Sequence, residues 1–360
     1  MLSSGDVSVS SAGQKIGDDR SSRRISLVPK IRKMTENVMR TTVLDDWPGI
    51  AEACADWSVL KKRAEVVFQR EALRGPALVE ALKGSQVVLP MRERTHLDAA
   101  VLESLPNLRL IALTGATTRH LDMDAVRKRE ITLCWSGAYH PEDTAEFAFA
   151  LMLAAEKRVA EGVAAIASGG FMEGTGLCRR LSGRTLGILG FGRIGARLAR
   201  MARAMDMTVI AWGRSLTREA AEAHGVIWAG FDEVLAKSDV LSIHMVLSPE
   251  TKGSVGRREL ALMKPGALLL NTARGTLVDE VALIEALREG RIRAALDVFD
   301  IEPLPVDHPL RHLPNVLLTP HLGYATHECM GMFYGQCIEN ILAWMDGAPI
   351  RVLDGGALTP

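Results

Sequence analysis

The sequence has no excess of charge of either sign, because it carries 43 basic and 43 acidic residues. A nucleic-acid-binding surface needs a marked excess of Lys and Arg, so this balance argues against a nucleic-acid partner. No apolar run approaches the ~18 residues that a membrane helix requires, and we therefore expect no membrane partner. A low aromatic content with 48% hydrophobic residues is typical of a soluble α/β protein.

Cysteine is also scarce, and its positions contain no C-x-x-C pair. An odd number of scattered cysteines predicts reduced, mostly structural thiols in a cytoplasmic protein rather than a disulfide framework. We likewise expect no metal centre. The five positions are Cys54, Cys134, Cys178, Cys329 and Cys337.

The length of 360 residues suits two domains of ordinary size. Residues 1–37 are rich in Ser, Gly and Arg and predict a disordered extension, and residues 354–360 predict a short tail. Between them, short apolar runs alternate with helical segments, which predicts parallel sheets. A helix should begin at Pro141 and run to about residue 158, and the Gly-containing stretch 160–180 should be a loop.

The stretch 185–195, TLGILGFGRIG, organises the second half of the chain. An apolar strand leads into G-x-G-x-x-G, formed by Gly190, Gly192 and Gly195, and a helical sequence follows. In this context the glycines allow a tight turn, a close approach of pyrophosphate and close helix packing, while the helix N-terminus favours the phosphates. We expect a dinucleotide to contact residues 190–195, including Phe191, Arg193 and Ile194; a purely structural turn is the alternative.

The residue that usually recognises the ribose of NAD is missing here. An acidic side chain is expected at the end of the strand after the fingerprint helix, but Gly213 stands there, 23 residues after Gly190. Arg214 and Ser215 follow. Loss of the carboxylate removes repulsion of a 2′-phosphate, and a guanidinium binds phosphate well, so we favour NADP over NAD. The alternative is a solvated Arg214, with NAD held by backbone contacts.

Three later stretches end predicted strands, where ligands bind in open α/β sheets. They are NTARG (271–275), ALDVFDIEPLP (295–305) and LTPHLGYAT (318–326), and they supply Arg274, Asp297, Glu302 and His321. An arginine, a carboxylate and a histidine are the groups that hydride transfer to a 2-keto acid requires.

These stretches, with HMVLSPETKG (244–253) and LMKPGALLLNTARGTLVDE (262–280), resemble the D-isomer-specific 2-hydroxyacid dehydrogenase family over about residues 40–353. The resemblance implies that Arg274 binds the substrate carboxylate and that His321 is the acid–base residue, with Glu302 orienting its ring. It also assigns cofactor contacts to Thr251, Ala273, Asp297 and Gly323. Substrate contacts are implied for Thr114, Gly115, Ala116 and Arg92.

The family pattern further implies two Rossmann-like doubly wound parallel-sheet domains with a cleft between them. We expect a substrate domain from residues 38–137 and 324–353, a dinucleotide-binding domain from residues 138–323, and a homodimer. The implied reaction is reduction of a small 2-keto acid by NAD(P)H to a D-2-hydroxy acid, with glyoxylate or hydroxypyruvate as substrates. The alternative is a nicotinamide-sensing scaffold of the same fold that acts by protein binding.

Overall fold

The computed structural model describes residues 38–137 and 140–353. The predicted extension 1–37 and tail 354–360 lie outside the described residues. Within the described ranges, two parallel sheets and their covering helices form two α/β domains, as the sequence predicted. The same ranges contain no helix with both the length and the apolarity needed to cross a membrane.

The first sheet has five strands in the order β2-β1-β3-β4-β5, all parallel. This is the 2-1-3-4-5 order of one common doubly wound fold. The strands β3 and β4 are nearly continuous apolar runs, as expected where helices cover both faces of a parallel sheet. The strands are β1 (Met39–Val43), β2 (Ala64–Phe68), β3 (Val87–Leu89), β4 (Leu110–Thr114) and β5 (Thr132–Ser136). Its first helices are α1 (Ala51–Cys54), α2 (Ser58–Lys61), α3 (Gly75–Leu82), α4 (Ala99–Glu103) and α5 (Met123–Lys128).

The second sheet has seven parallel strands in the order β12-β11-β10-β9-β6-β7-β8. The chain order reverses between β6 and β9, which pair directly, and this switch point is where doubly wound sheets bind dinucleotides. The strands are β6 (Thr185–Leu189), β7 (Thr208–Trp212), β8 (Ile227–Trp228), β9 (Val240–Ile243), β10 (Leu268–Asn271), β11 (Arg293–Leu296) and β12 (Val316–Leu318).

The remaining helices connect and cover these sheets. They are α6 (Pro141–Glu156), α7 (Val159–Ala167), α8 (Arg193–Ala204), α9 (Arg218–Ala223), α10 (Phe231–Lys237), α11 (Arg257–Leu262), α12 (Glu280–Arg288) and α13 (His327–Met345). Helix α6 packs on α8 and on β10, whereas α13 returns to β4 and β5 of the first sheet. The domain limits at 137/138 and 323/324 stay a prediction.

One predicted loop was wrong. Residues 160–180 were expected to be irregular, but Val159–Ala167 form helix α7. This nine-residue stretch contains four alanines, and alanine is the residue that most favours a helix. The single Gly162 disfavours the helix by only about 1 kcal/mol. None of the α7 residues is buried, so the helix lacks the apolar stripe facing a core that would have indicated it.

Candidate active site

A cleft of about 940 Å³ lies between the two domains and is lined by residues from both. The loops that follow β3, β4 and β5 form one wall, and the loops that follow β9, β10 and β11 form the other. Parallel strands bring their carboxyl ends to one edge of a sheet, and this geometry gathers residues that are distant in sequence.

The glycine turn has the geometry that a dinucleotide needs. Gly190 has φ +94°, and a Cβ there would lie 2.6 Å from the backbone of His244 and Met245. A Cβ at Gly192 would meet no described atom within 4 Å, whereas one at Gly195 would lie 3.1 Å from the Gly190 carbonyl oxygen. Helix α8 begins immediately after Gly192, which supplies no side-chain cap. The first-turn N–H groups therefore face an open surface suited to a pyrophosphate.

Other residues of this turn lie beside it. Phe191 packs edge-on to the ring of His224 at 5.5 Å. Ile194 lines the cleft, and Arg193 is exposed on the first turn of α8. Of the residues predicted to contact the cofactor in this turn, the glycines therefore set the course of the backbone, whereas Ile194 faces the cleft.

The cofactor's predicted ribose side lies at the end of β7. Gly213 is half-buried and packs close to the Phe191 backbone, while Arg214 and Ser215 are exposed in a turn. The charge of Arg214 reaches Glu250 and contributes to lowering the pKa of that carboxyl, after a larger effect of its hydrogen bond with Ser248. Arg214 is therefore exposed to solvent and also lies within reach of the loop that carries Glu250.

Thr251 stabilises the loop formed by residues 246–251 and does not line the cleft. Its hydroxyl donates to the Val246 carbonyl at 2.7 Å and accepts from the Ser248 N–H at 2.8 Å. Any contribution of Thr251 to cofactor binding is therefore through the shape of residues 246–251.

Arg274 stands just after β10 and projects into the cleft. The Asn271 amide donates to the Arg274 carbonyl at 2.9 Å, and the Asn271 amide oxygen accepts from the N–H of Ala273 at 3.0 Å. Gly275 allows the backbone at Phe299 to pass in direct contact, because a Cβ there would collide with it. These contacts fix the loop that carries both Ala273 and Arg274 along the cleft wall.

His321 and Glu302 form a tight pair. His321 Nδ1 lies 2.6 Å from Glu302 Oε2, and Glu302 Oε1 accepts from the N–H of Phe299 at 3.0 Å. Burial alone would raise the pKa of Glu302, but the hydrogen bond and charge of His321 outweigh it and hold that pKa below its usual range. Because Nδ1 is engaged, Nε2 is the nitrogen that His321 offers to the cleft.

Asp297 supports the His321 loop from below. It is fully buried and accepts from the Thr319 hydroxyl at 2.6 Å and from the N–H groups of Leu322 and Gly323 at 2.8 Å each. Burial raises the pKa of Asp297 despite these bonds. Its oxygens are engaged within the protein, so the structure places Asp297 behind the cleft surface and Gly323 on it.

The predicted substrate loop follows β4. Gly115 and Ala116 line the cleft, whereas the buried Thr114 hydroxyl donates to the Pro90 carbonyl at 2.9 Å and accepts from the Arg92 N–H at 2.7 Å. The Arg92 guanidinium lies against Gly115, since a Cβ at Gly115 would collide with its Nη1. It also lies 6.0 Å over the ring of Tyr324. Arg92 and the loop therefore form one surface.

Sequence reasoning missed Glu93, which reaches across the cleft and accepts from Arg274 Nη2 at 2.8 Å. In the sequence, Glu93 is distinguished only by its place between two arginines. Glu93 and Arg274 are 181 positions apart. His120 is also buried at the cleft wall, without a partner for either ring nitrogen among the described residues. Burial lowers the pKa of His120 to about 4.

Together these residues can hold a dinucleotide on the second sheet and an anionic substrate beside His321. The open space at Gly192 and the uncapped start of α8 fit a bound pyrophosphate. Within the described ranges, no group of three or more His, Cys, Asp or Glu side chains is arranged to hold a metal.

Comparison with known proteins connects this geometry to a family. Residues 149–323 match the D-isomer specific 2-hydroxyacid dehydrogenase, NAD binding domain. A glyoxylate reductase of Thermococcus litoralis is 39% identical over 271 residues, which cover 73% of this chain and 82% of that protein. The chain belongs to the D-isomer specific 2-hydroxyacid dehydrogenase family. It is therefore an NAD(P)-dependent oxidoreductase, as the motifs predicted.

Other relatives of this dehydrogenase carry a different substrate in their names. A D-3-phosphoglycerate dehydrogenase of Archaeoglobus fulgidus is 34% identical over 306 residues, covering 84% of this chain but only 57% of that protein. The structure of a putative D-3-phosphoglycerate dehydrogenase oxidoreductase from Ralstonia solanacearum superposes with a TM-score of 0.83 at 34% identity, covering 89% of this chain and 98% of that one. The family is thus shared by proteins named for different 2-hydroxy acids.

Proposed function

We propose that this dehydrogenase reduces a small 2-keto acid, with glyoxylate and hydroxypyruvate as the leading substrates, to a D-2-hydroxy acid. The observation that carries the proposal is the convergence of Arg274 and the Glu302–His321 pair on one cleft beside the glycine turn. The names of several relatives, glyoxylate reductase among them, support the same substrates.

In the proposed reaction, Arg274 and the backbone at Gly115 and Ala116 hold the substrate carboxylate. The nicotinamide cofactor supplies the hydride. His321 donates a proton from Nε2 to the carbonyl oxygen as its charge develops, and Glu302 stabilises the protonated ring before the transfer. In the reverse direction, the same nitrogen accepts the proton of the hydroxyl group.

A panel of 2-keto acids, each assayed with NADH and NADPH, tests this function. We expect oxidation of the cofactor with glyoxylate or hydroxypyruvate. His321→Ala should lower turnover by about 10²–10⁴-fold, the usual worth of a general acid, while the cofactor still binds. Absence of turnover across the panel with either cofactor contradicts the proposal. Neither the site nor the names of the relatives supports the scaffold alternative.

We propose NADP as the preferred cofactor. Gly213 leaves no carboxylate at the end of β7, and Arg214 is exposed beside it. We expect Arg214→Asp to lower the preference for NADPH, because it exchanges an attractive charge for a repulsive one. The ratio of kcat/KM values for the two cofactors is the measurement, and an unchanged ratio refutes the phosphate-binding role.

We also propose a homodimer that forms through α7 and the segment after it. This surface exposes large apolar side chains, with Val163 at 64%, Ile166 at 60%, Phe171 at 71% and Leu177 at 88% of full exposure. Monomers rarely leave such side chains clustered in solvent. Light scattering should give the mass of two chains, and a Val163→Asp, Ile166→Asp double variant should give one. Val306→Asp is the control, because Val306 is an exposed valine outside this surface.

The cytoplasmic location expected from the sequence remains a proposal as well. All five cysteines lie in the described residues, and all five are free thiols. Reduced thiols are usual in that compartment.

A further inference from the structure

We propose that Glu93 sets the charge of the substrate, so that the cleft accepts 2-keto acids with one negative charge and rejects those with two. The proposal rests on the function proposed above, because it takes Arg274 as the group that receives the substrate carboxylate. Some relatives are named for phosphorylated acids and others for unphosphorylated acids. The proposal restricts the substrates of this protein to acids with one negative charge.

Glu93 is held in the cleft as a charged group. Its carboxylate accepts from Arg274 at 2.8 Å, and its side chain is about three-quarters buried. Burial alone would raise the pKa of Glu93, but the charges of Arg274 and Arg92 and a hydrogen bond from Thr117 hold that pKa below its usual range. A full negative charge therefore stands beside the carboxylate-binding arginine at neutral pH.

The charges of this cluster balance one substrate carboxylate. Arg92 and Arg274 are positive and Glu93 is negative, so the three together carry one positive charge. The His321–Glu302 pair carries no net charge when the ring is protonated. A monoanionic acid neutralises the cluster, whereas a dianionic acid leaves one negative charge uncompensated in a partly desolvated cleft, which is costly.

The positive charges of the other arginines at the cleft are either close to a carboxylate or exposed to solvent, which screens them. Arg94 stacks on Trp47 at 4.2 Å and donates to the Asp45 carbonyl at 3.2 Å, with the Asp45 carboxylate also within reach of its charge. Arg74 and Arg119 are exposed, and each donates to a backbone carbonyl across the cleft.

The two remaining acids of the cleft act in the same direction as Glu93. Asp143 and Asp300 both line it, and each adds negative charge when ionised. Glu93 is therefore the charge that a second anionic group meets beside Arg274.

The test compares the binding of D-glycerate and tartronate, which differ in a terminal hydroxymethyl group against a carboxylate. Both are already reduced at C2, so neither can accept a hydride from the reduced cofactor, and calorimetry with NADPH or NADH needs no turnover. We expect the unaltered protein to bind D-glycerate more tightly. Glu93→Gln should move the affinity ratio toward tartronate by roughly ten- to hundredfold, the effect of removing one charge several ångströms away.

Two control variants separate charge from position. Glu93→Asp keeps the charge but shortens the side chain, and it should keep the preference for D-glycerate. Glu65→Gln removes an exposed carboxylate outside the cleft, and it should leave the ratio unchanged. An equal ratio in Glu93→Gln and the unaltered protein overturns the inference. Tighter binding of tartronate to the unaltered protein overturns it as well, and needs no variant to fold.

The outcome is independent of the keto-acid panel. If no keto acid is reduced but the affinity ratio depends on Glu93, the proposed function fails and the charge selection stands. If hydroxypyruvate is reduced but the ratio does not depend on Glu93, the function stands and the charge selection fails.

Discussion

Replacing Glu302 by Gln removes the negative charge beside His321 while keeping the length of the side chain. Glu302 Oε1 accepts from the Phe299 N–H, a bond that an amide oxygen retains. The amide nitrogen then faces His321 Nδ1 and donates to it, which favours the neutral ring. Reduction needs a proton on His321, so the rate of the variant should fall at a lower pH than the rate of the unaltered enzyme.

The size of this shift follows from the 2.6 Å contact between Glu302 and His321. A hydrogen bond between charged partners contributes about 1.5–3 kcal/mol. At about 1.4 kcal/mol per unit, the descending limb of the pH profile should move down by about 1–2 pH units. At pH values below both limbs, the variant should recover most of its activity.

The assay is kcat/KM for reduction of the best keto acid from pH 5 to 9, with cofactor binding and thermal unfolding measured alongside. Glu289→Gln, on an exposed residue after α12, is the matched control and should leave the profile in place. A Glu302→Gln enzyme that is slower at every pH, with its descending limb unmoved, refutes the charge coupling between the two side chains.

Three further substitutions test other parts of the site. Gly115→Ala places a Cβ against Arg92 at a φ of +99°, and we expect kcat/KM to fall roughly 10–100-fold with cofactor affinity unchanged. Gly190→Ala places a Cβ 2.6 Å from the His244 backbone at a φ of +94°, so cofactor titration should show weakened binding and thermal unfolding a loss of about 1–3 kcal/mol or more. For His120, the lowered pKa of about 4 means that the unfolded chain binds a proton that the folded chain does not, so stability is lost as pH falls from about 6.5 toward 4. The effect of His120→Leu on the free energy of unfolding should therefore be about 3 kcal/mol more favourable at pH 4 than at pH 7, measured by denaturant titration. Parallel curves of stability against pH for the two proteins contradict this.

The sequence was sufficient for the fold because its signals are local. The apolar run that leads into the glycine motif is a strand, β6, as predicted. The alternation of apolar runs with helical segments predicted parallel sheets, and both sheets are parallel. Helix α7 was missed because it has no buried face, so its stability comes from composition and, in our proposal, from a second chain.

The site could be predicted only as far as motifs reach. The Glu302–His321 pair lies where the motifs suggested. Asp297 was expected at the nicotinamide, yet its oxygens are engaged by the loop that carries His321. The contact between Glu93 and Arg274 depends on how two domains close on each other, and no periodicity or spacing in a single sequence encodes it.

Transfer of deuterium tests the central claim most directly. The enzyme is incubated with hydroxypyruvate and a reduced cofactor that carries deuterium at both C4 positions of the nicotinamide, and the product is analysed by mass spectrometry and chiral chromatography. We expect D-glycerate with one deuterium at C2, and at least a hundredfold less of it from His321→Ala. Product without deuterium, L-glycerate, or full transfer by His321→Ala would contradict the account.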